Sequence, residues 1–144
     1  MACWCDGRFA TRPRMTLYAL KPRFQALLRP AVGRLAAAGV TANQVTVAAM
    51  LGSLAVGAAV AFWAASPAVF LLVPAWLAAR MALNAVDGML AREHGQKSDL
   101  GAFLNEIGDV VSDAALYAPF ALLPAFGGFA VAVVVLLAVL TEFA

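Results

Sequence analysis

Charged residues are scarce in this chain. Only 12% of its 144 residues are Asp, Glu, Lys or Arg, whereas 64% are hydrophobic, and the mean hydropathy is +0.87. A soluble domain has about 25% charged and about 45–50% apolar residues. The shortage of charge excludes a soluble globular domain and predicts one small integral membrane domain.

Cysteine and histidine are also nearly absent. Cys3 and Cys5 are the two cysteines and His94 is the one histidine. Two cysteines without further ligands make a poor zinc site, so free thiols are expected, and His94 is expected to be a solvated loop residue. The first 40 residues show no clear apolar region followed by a cleavage site, which argues against a secretory signal peptide. Residues 1–14 are polar and irregular, and we expect a disordered leader there and a single domain over residues 15–144.

Hydropathy predicts four membrane spans, at about residues 45–65, 68–92, 100–123 and 129–143. Each is near the ~20 residues that a bilayer requires. Before them, apolar residues recur at helical spacing, which predicts an amphipathic interfacial helix that is broken or kinked at Pro30; these residues are Phe24, Leu27, Leu28, Ala31 and Leu35. The predicted fold class is therefore all-α, a polytopic transmembrane helix bundle preceded by an amphipathic interfacial helix.

Basic residues are concentrated at one end of the chain. Seven of the ten Lys and Arg residues precede residue 35, and Arg92 and Lys97 flank the loop after the second predicted span. The positive-inside rule places both segments in the cytoplasm, and we expect an integral protein of a bacterial inner membrane. The basic residues of the interfacial helix either favour anionic lipid or act only as a topology signal.

Polar residues interrupt the second and third predicted spans. Ionisable groups at membrane depth are costly, so they indicate a functional site. At 3.6 residues per turn, the two sets each fall on one side of a helix: Arg80, Asn84, Asp87, Gly88 and Ala91 on the first, and Gly101, Asn105, Gly108, Asp109 and Ser112 on the second, with Asp113 at the edge. The pattern predicts an oxygen-rich cavity between two membrane helices. Arg80 is expected either to balance the carboxylates or to contact a substrate phosphate, and we favour the first.

The spacing of these residues resembles a known family motif. The chain reads Asn84-x2-Asp87-Gly88-x2-Ala91-Arg92-x8-Gly101-x3-Asn105-x3-Asp109. This is similar to the pattern D-x2-D-G-x2-A-R-x8-G-x3-D-x3-D of the CDP-alcohol phosphotransferase (CDP-alcohol phosphatidyltransferase) family, with asparagine at two of the four aspartates. The resemblance implies about six membrane helices, so we expect this chain to be truncated or its pocket to be completed by helices from elsewhere.

The resemblance also implies an activity. It predicts transfer of a phosphatidyl or other substituted phosphate group from a CDP-alcohol, such as CDP-diacylglycerol, to an acceptor alcohol with release of CMP. Asp109 takes the position of the family's proposed base. Mg²⁺ or Mn²⁺ is expected on oxygen ligands, which are Asp87, Asp109, Asn84, Asn105 and Asp113. The nucleotide is expected at Gly88, Ala91, Arg92 and Gly101. Because an amide offers one oxygen and no charge, binding of one metal ion or of two is left open.

Several alternatives stand beside this prediction. Asn84 and Asn105 could serve only as hydrogen-bonding residues between helices. The whole chain could be a non-catalytic relative that binds a nucleotide-lipid or a membrane partner. The expected partners are a CDP-alcohol, an acceptor alcohol and membrane lipid, with no nucleic acid, and the prediction allows a homodimer. The acceptor alcohol cannot be derived from the motif.

Overall fold

A computed structural model describes residues 17–142 and shows five α-helices, with no strand among these residues. Helix α1 spans Leu17–Ala37, α2 spans Ala42–Phe62, α3 spans Leu72–Glu93, α4 spans Asp99–Tyr117 and α5 spans Gly128–Glu142. Two short 3₁₀ helices, Pro67–Leu71 and Ala118–Leu122, precede α3 and follow α4. The all-helical prediction is confirmed. The leader predicted at residues 1–14 lies outside the described residues.

The helices begin close to the starts predicted from hydropathy. Helix α2 (21 residues) and the continuous stretch Pro67–Glu93 (27 residues) are long and apolar enough to cross a membrane, and Gly128–Thr141 is apolar but shorter. Helix α4 does not reach the same apolar character because it carries Asp99, Glu106, Asp109 and Asp113. Two of these acidic residues, Asp109 and Asp113, are among those that indicated a functional site.

Side-chain caps fix where the helices at the cavity end begin. Thr41 and Gln44 form a reciprocal capping box at the start of α2, and the Ser98 hydroxyl accepts a hydrogen bond from the Gly101 amide at the start of α4. These bonds satisfy amide donors that a helix N-terminus otherwise leaves unpaired. Gly39 adopts a φ of 78°, which permits the turn from α1 into α2.

Helix α1 continues through Pro22 and Pro30 to Ala37, so it is not broken at Pro30, and the kink predicted as the alternative stays a prediction. Tertiary packing holds this helix against α3. Val32 is fully buried in a cluster with Val86, Met89 and Leu90. Burial of these apolar side chains offsets the cost of a proline in the helix interior.

Helix α2 packs against both α3 and α4. Its neighbours show the directions of the chain: Asn43 lies beside Gly101 and Gly57 beside Ala115, so α2 and α4 run parallel. Trp76 of α3 packs on Gly52 and donates a hydrogen bond to the Ser53 hydroxyl at 2.9 Å. Because the loop after α3 returns the chain to the start of α2, the polar residues of α3 and α4 converge at that end.

Candidate functional site

A cavity of about 600 Å³ opens between α2, α3 and α4 at this end of the bundle. Seven of the residues predicted for the site line it: Asn84, Asp87, Gly88, Ala91, Arg92, Gly101 and Asn105. The two predicted carboxylates Asp109 and Asp113 are not among the lining residues. The structure therefore brings most of the motif to one cavity. The carboxylates of Asp109 and Asp113 instead accept hydrogen bonds from Arg80.

Asp87 is the buried acid of the cavity. Only 6% of its surface is exposed, and the Thr46 hydroxyl donates a hydrogen bond to its Oδ2 at 2.9 Å. The same hydroxyl lies 3.2 Å from the main-chain oxygen of Ala42, so two acceptors share one proton. Thr46 was not predicted as a site residue. A lone threonine among the apolar residues of α2 gives no signal until the opposite helix is in place.

Arg80 forms ion pairs with the two other predicted carboxylates, Asp109 and Asp113. Its guanidinium donates to Oδ1 of Asp113, and to Oδ1 of Asp109 at 2.5 Å and the main-chain oxygen of Asp109 at 3.3 Å. Arg80 is 8% exposed although it is a charged residue. The structure thus shows the ion pairs expected of a residue that balances carboxylates. A guanidinium presents several donors in a fixed plane, which suits contact with two acids at once.

Asn84 connects this ion-pair cluster to the cavity. Its Nδ2 donates a hydrogen bond to Oδ1 of Asp109 at 3.2 Å, while the residue also lines the cavity wall. An amide can donate and accept at the same time. The asparagine therefore makes a bond to Asp109 that the family's aspartate could not make while ionised.

The loop between α3 and α4 is fastened to the start of α2. Gln96 accepts a hydrogen bond from the Ala42 amide at 2.7 Å and donates to the Val40 main-chain oxygen at 3.4 Å. Gln96 also lines the cavity, together with Lys97. Neither residue was predicted to line the site, because a loop side chain shows no periodicity; Lys97 was used only to predict the topology.

Two glycines allow close approach at the cavity wall. A Cβ at Gly101 would lie 2.8 Å from Oδ1 of Asn43, and a Cβ at Gly88 would lie 3.0 Å from an Nη atom of Arg92. The Arg92 guanidinium therefore lies over the backbone of Gly88. This arrangement adds an exposed positive charge to the lining of the cavity that also contains the buried Asp87.

An exposed ion pair joins α1 to the end of α3. Arg29 donates to both carboxylate oxygens of Glu93, at 2.9 and 3.2 Å. These hydrogen bonds and the charge of Glu93 raise the pKa of Arg29 above its usual value. The pair is exposed to solvent, so its net contribution to stability is small.

The side-chain oxygen atoms of the cavity determine whether it can bind a metal ion. Among residues 17–142, no cluster of three or more His, Cys, Asp or Glu side chains is arranged to hold a metal. The cavity instead offers one buried carboxylate, Asp87, with the amides of Asn84 and Asn105. Carboxylate and amide oxygens suit a hard cation such as Mg²⁺ or Mn²⁺, so the chemistry of this donor set fits one such ion.

Comparison with known proteins gives two matches. The family model for CDP-alcohol phosphatidyltransferase matches residues 39–144. The chain is also 53% identical to the inner membrane protein YnbA of Escherichia coli (strain K12) over 129 aligned residues. The aligned residues cover 90% of this chain and 64% of YnbA. The chain thus spans less than two thirds of the length of this curated relative. No solved structure matches the chain.

Proposed function

The chain belongs to the CDP-alcohol phosphatidyltransferase family, and from this premise we propose that it transfers a phosphatidyl or related substituted phosphate group from a CDP-alcohol, such as CDP-diacylglycerol, to an acceptor alcohol and releases CMP. The observation that carries the proposal is the cavity itself. It gathers seven motif residues from two helices, and its lining combines the exposed basic side chains of Arg92 and Lys97 with the buried acid Asp87. A nucleotide diphosphate bound at membrane depth needs nearby positive charge to offset its own negative charge.

The lining residues have distinct proposed roles. Arg92 and Lys97 offset the charge of the diphosphate. Gly88 and Ala91 leave the helix backbone open to the nucleotide, and Gly101 lets α4 approach α2 at the cavity wall. Asp109 remains the proposed general base through its position in the motif; Arg80 and Asn84 both donate to its Oδ1, so its Oδ2 would accept the proton of the acceptor hydroxyl.

Mg²⁺ or Mn²⁺ is the proposed cofactor. Asp87 would hold it together with the amide oxygens of Asn84 and Asn105. When bound, such an ion supplies positive charge that stabilises the diphosphate and the leaving CMP. Asp109 and Asp113, which the sequence also suggested as ligands, each direct one oxygen to Arg80.

We propose that the protein lies in a bacterial inner membrane with the cavity on the cytoplasmic side. The relative YnbA is named an inner membrane protein. The basic residues of α1 and of the loop after α3 belong in the cytoplasm by the positive-inside rule. A lipid-linked CDP-alcohol would then keep its acyl chains in the bilayer while its nucleotide enters from water.

A non-catalytic relative is the second candidate. It is favoured by Asn84, which donates its amide to Asp109 where the family motif has a carboxylate. A protein of this kind would bind CDP-alcohol without turnover.

Release of CMP separates the two candidates. The purified chain is reconstituted into vesicles with CDP-diacylglycerol, Mn²⁺ and a panel of acceptors that includes glycerol phosphate, inositol phosphate and serine. We expect CMP release with one acceptor, and a loss of about 100-fold in Asp87→Asn. Glu93→Gln, a matched carboxylate-to-amide change at the exposed end of α3, should retain activity. Binding of CDP-diacylglycerol without CMP release for any acceptor would establish the non-catalytic candidate.

A further inference from the structure

Arg80 lies outside the family motif, one helical turn before Asn84, yet it contacts two carboxylates of the site. We propose that Arg80 is a fixed cation of this site: it neutralises Asp109 and Asp113 where a second metal ion would otherwise bind, so that the cavity takes one divalent cation per chain, at Asp87. The inference rests on the proposed metal-dependent function and specifies how that site is charged.

The charges of the described site support one divalent ion. Asp87, Asp109 and Asp113 carry three negative charges and Arg80 carries one positive charge, which leaves a net charge of −2. The remaining charged residues of the cavity are two basic and two acidic, and they cancel; they are Arg92, Lys97, Asp99 and Glu106. In the protein without substrate, one Mg²⁺ or Mn²⁺ therefore neutralises the site, whereas a second would leave excess positive charge at membrane depth.

The Arg80 guanidinium occupies the two carboxylates that a second ion would need as ligands. Metal ions that act as a pair lie about 3.5–4 Å apart and share neighbouring carboxylates. Arg80 already donates to Oδ1 of Asp109 and to Oδ1 of Asp113, and its side chain is 10% exposed. Displacing it would leave a buried guanidinium without partners, which is costly in a membrane.

Asn84 also separates the Arg80 ion pairs from Asp87. Its Nδ2 faces Oδ1 of Asp109, so the same oxygen receives donors from both Arg80 and Asn84. Because Nδ2 serves Asp109, the side-chain carbonyl oxygen of Asn84 is the atom left to act as a ligand in the cavity that Asn84 lines. Asp109 and Asp113 thus form one unit with Arg80, and Asp87 forms a separate unit with the amide oxygens.

Counting Mn²⁺ ions tests the inference without any measurement of activity. Calorimetric titration of the purified full chain in detergent should give one Mn²⁺ per chain. The electron paramagnetic resonance spectrum should be that of an isolated ion, without the exchange coupling of a close pair. Arg80→Gln frees both carboxylates and should raise the count from one towards two, whereas Arg80→Lys keeps the charge and should stay at one.

A second pair of variants does not depend on the folding of Arg80→Gln. Asp87→Asn should abolish Mn²⁺ binding, while Asp113→Asn should retain one ion with a dissociation constant within about fivefold, since Asp113 serves Arg80 rather than the metal. Two Mn²⁺ per wild-type chain, no Mn²⁺ at all, an unchanged count in folded Arg80→Gln, or loss of the ion in Asp113→Asn would each overturn the inference. One bound Mn²⁺ without CMP release would contradict only the proposed function, whereas two bound ions with CMP release would contradict only this inference.

Discussion

Asn84→Asp, which restores a carboxylate of the family motif, should make the protein less stable and more dependent on metal. Asn84 Nδ2 lies 3.2 Å from Oδ1 of Asp109. The substitution replaces this donor with a carboxylate oxygen and so brings two negative charges together.

The size of the effect follows from the distance. Two unit charges about 3.2 Å apart repel by about 5 kcal/mol at an effective dielectric constant of about 20. The lost hydrogen bond to a charged acceptor adds about 1.5–3 kcal/mol. Rotation of the new side chain and attraction to Arg80 relieve part of this cost. We therefore expect a net loss of about 2–3 kcal/mol without metal, which corresponds to a fall of about 5–10 °C in the unfolding midpoint.

Thermal unfolding in detergent, with EDTA and then with saturating Mn²⁺, measures both parts of this prediction. The Asn84→Asp midpoint should fall in EDTA and recover most of the difference in Mn²⁺, because the new carboxylate becomes a metal ligand. Asn105→Asp is the matched control: it lines the same cavity, but no bond from it to Asp109 is found among the described contacts. An Asn84→Asp protein as stable as wild type in EDTA would refute the repulsion on which the reasoning depends.

Other predictions concern the packing and the topology. Thr46→Val should lower stability by about 1.5–3 kcal/mol because buried Asp87 loses its donor, whereas Thr46→Ser should be close to wild type in the same unfolding assay. Gly57→Ala should cost about 1–3 kcal/mol because a Cβ there overlaps the Ala115 carbonyl group, while Gly33→Ala, with open space around it, should be neutral; a neutral Gly57→Ala would mean that α2 and α4 separate freely. In a background with Cys3 and Cys5 replaced by serine, a cysteine at Lys97 should resist an impermeant reagent in intact cells and one at Ser66 should react; reversed labelling would place the cavity away from the cytoplasm.

Hydropathy predicted where the helices begin because apolar runs are local signals. The second span was expected to begin at about residue 68, and the structure begins the 3₁₀ helix at Pro67 with Ser66 as its cap. A break at Pro30 does not occur, because the effect of this proline is not local. Its effect depends on whether the helix packs against a neighbour, and Val32 buried against α3 is a tertiary contact that no local pattern contains.

The cavity residues could be predicted because helical periodicity assigns each residue to a face. Periodicity does not give the relative height and rotation of two helices. For that reason the pattern correctly favoured Arg80 as the residue that balances carboxylates, but it placed Asp109 and Asp113 in the cavity beside Asp87, whose lining does not include them. Thr46 and Gln96 were missed because each acts through one long-range hydrogen bond, to Asp87 and to the Ala42 amide respectively.

Helices α2 and α4 pack closely at Gly57, where a Cβ would overlap the Ala115 carbonyl group. This contact is a pivot about which α2 can tilt relative to α4. Gly57 lies eleven residues beyond Thr46 on α2, a distance of about 16 Å at about 1.5 Å per residue. A tilt of about 5° about this pivot would move the Thr46 end by about 1.4 Å, well above the ~0.2 Å within which metal–ligand distances are held. Because a helix adjusts its tilt to the thickness of the bilayer, we expect the lipid composition of the membrane to change the affinity of the proposed cation site.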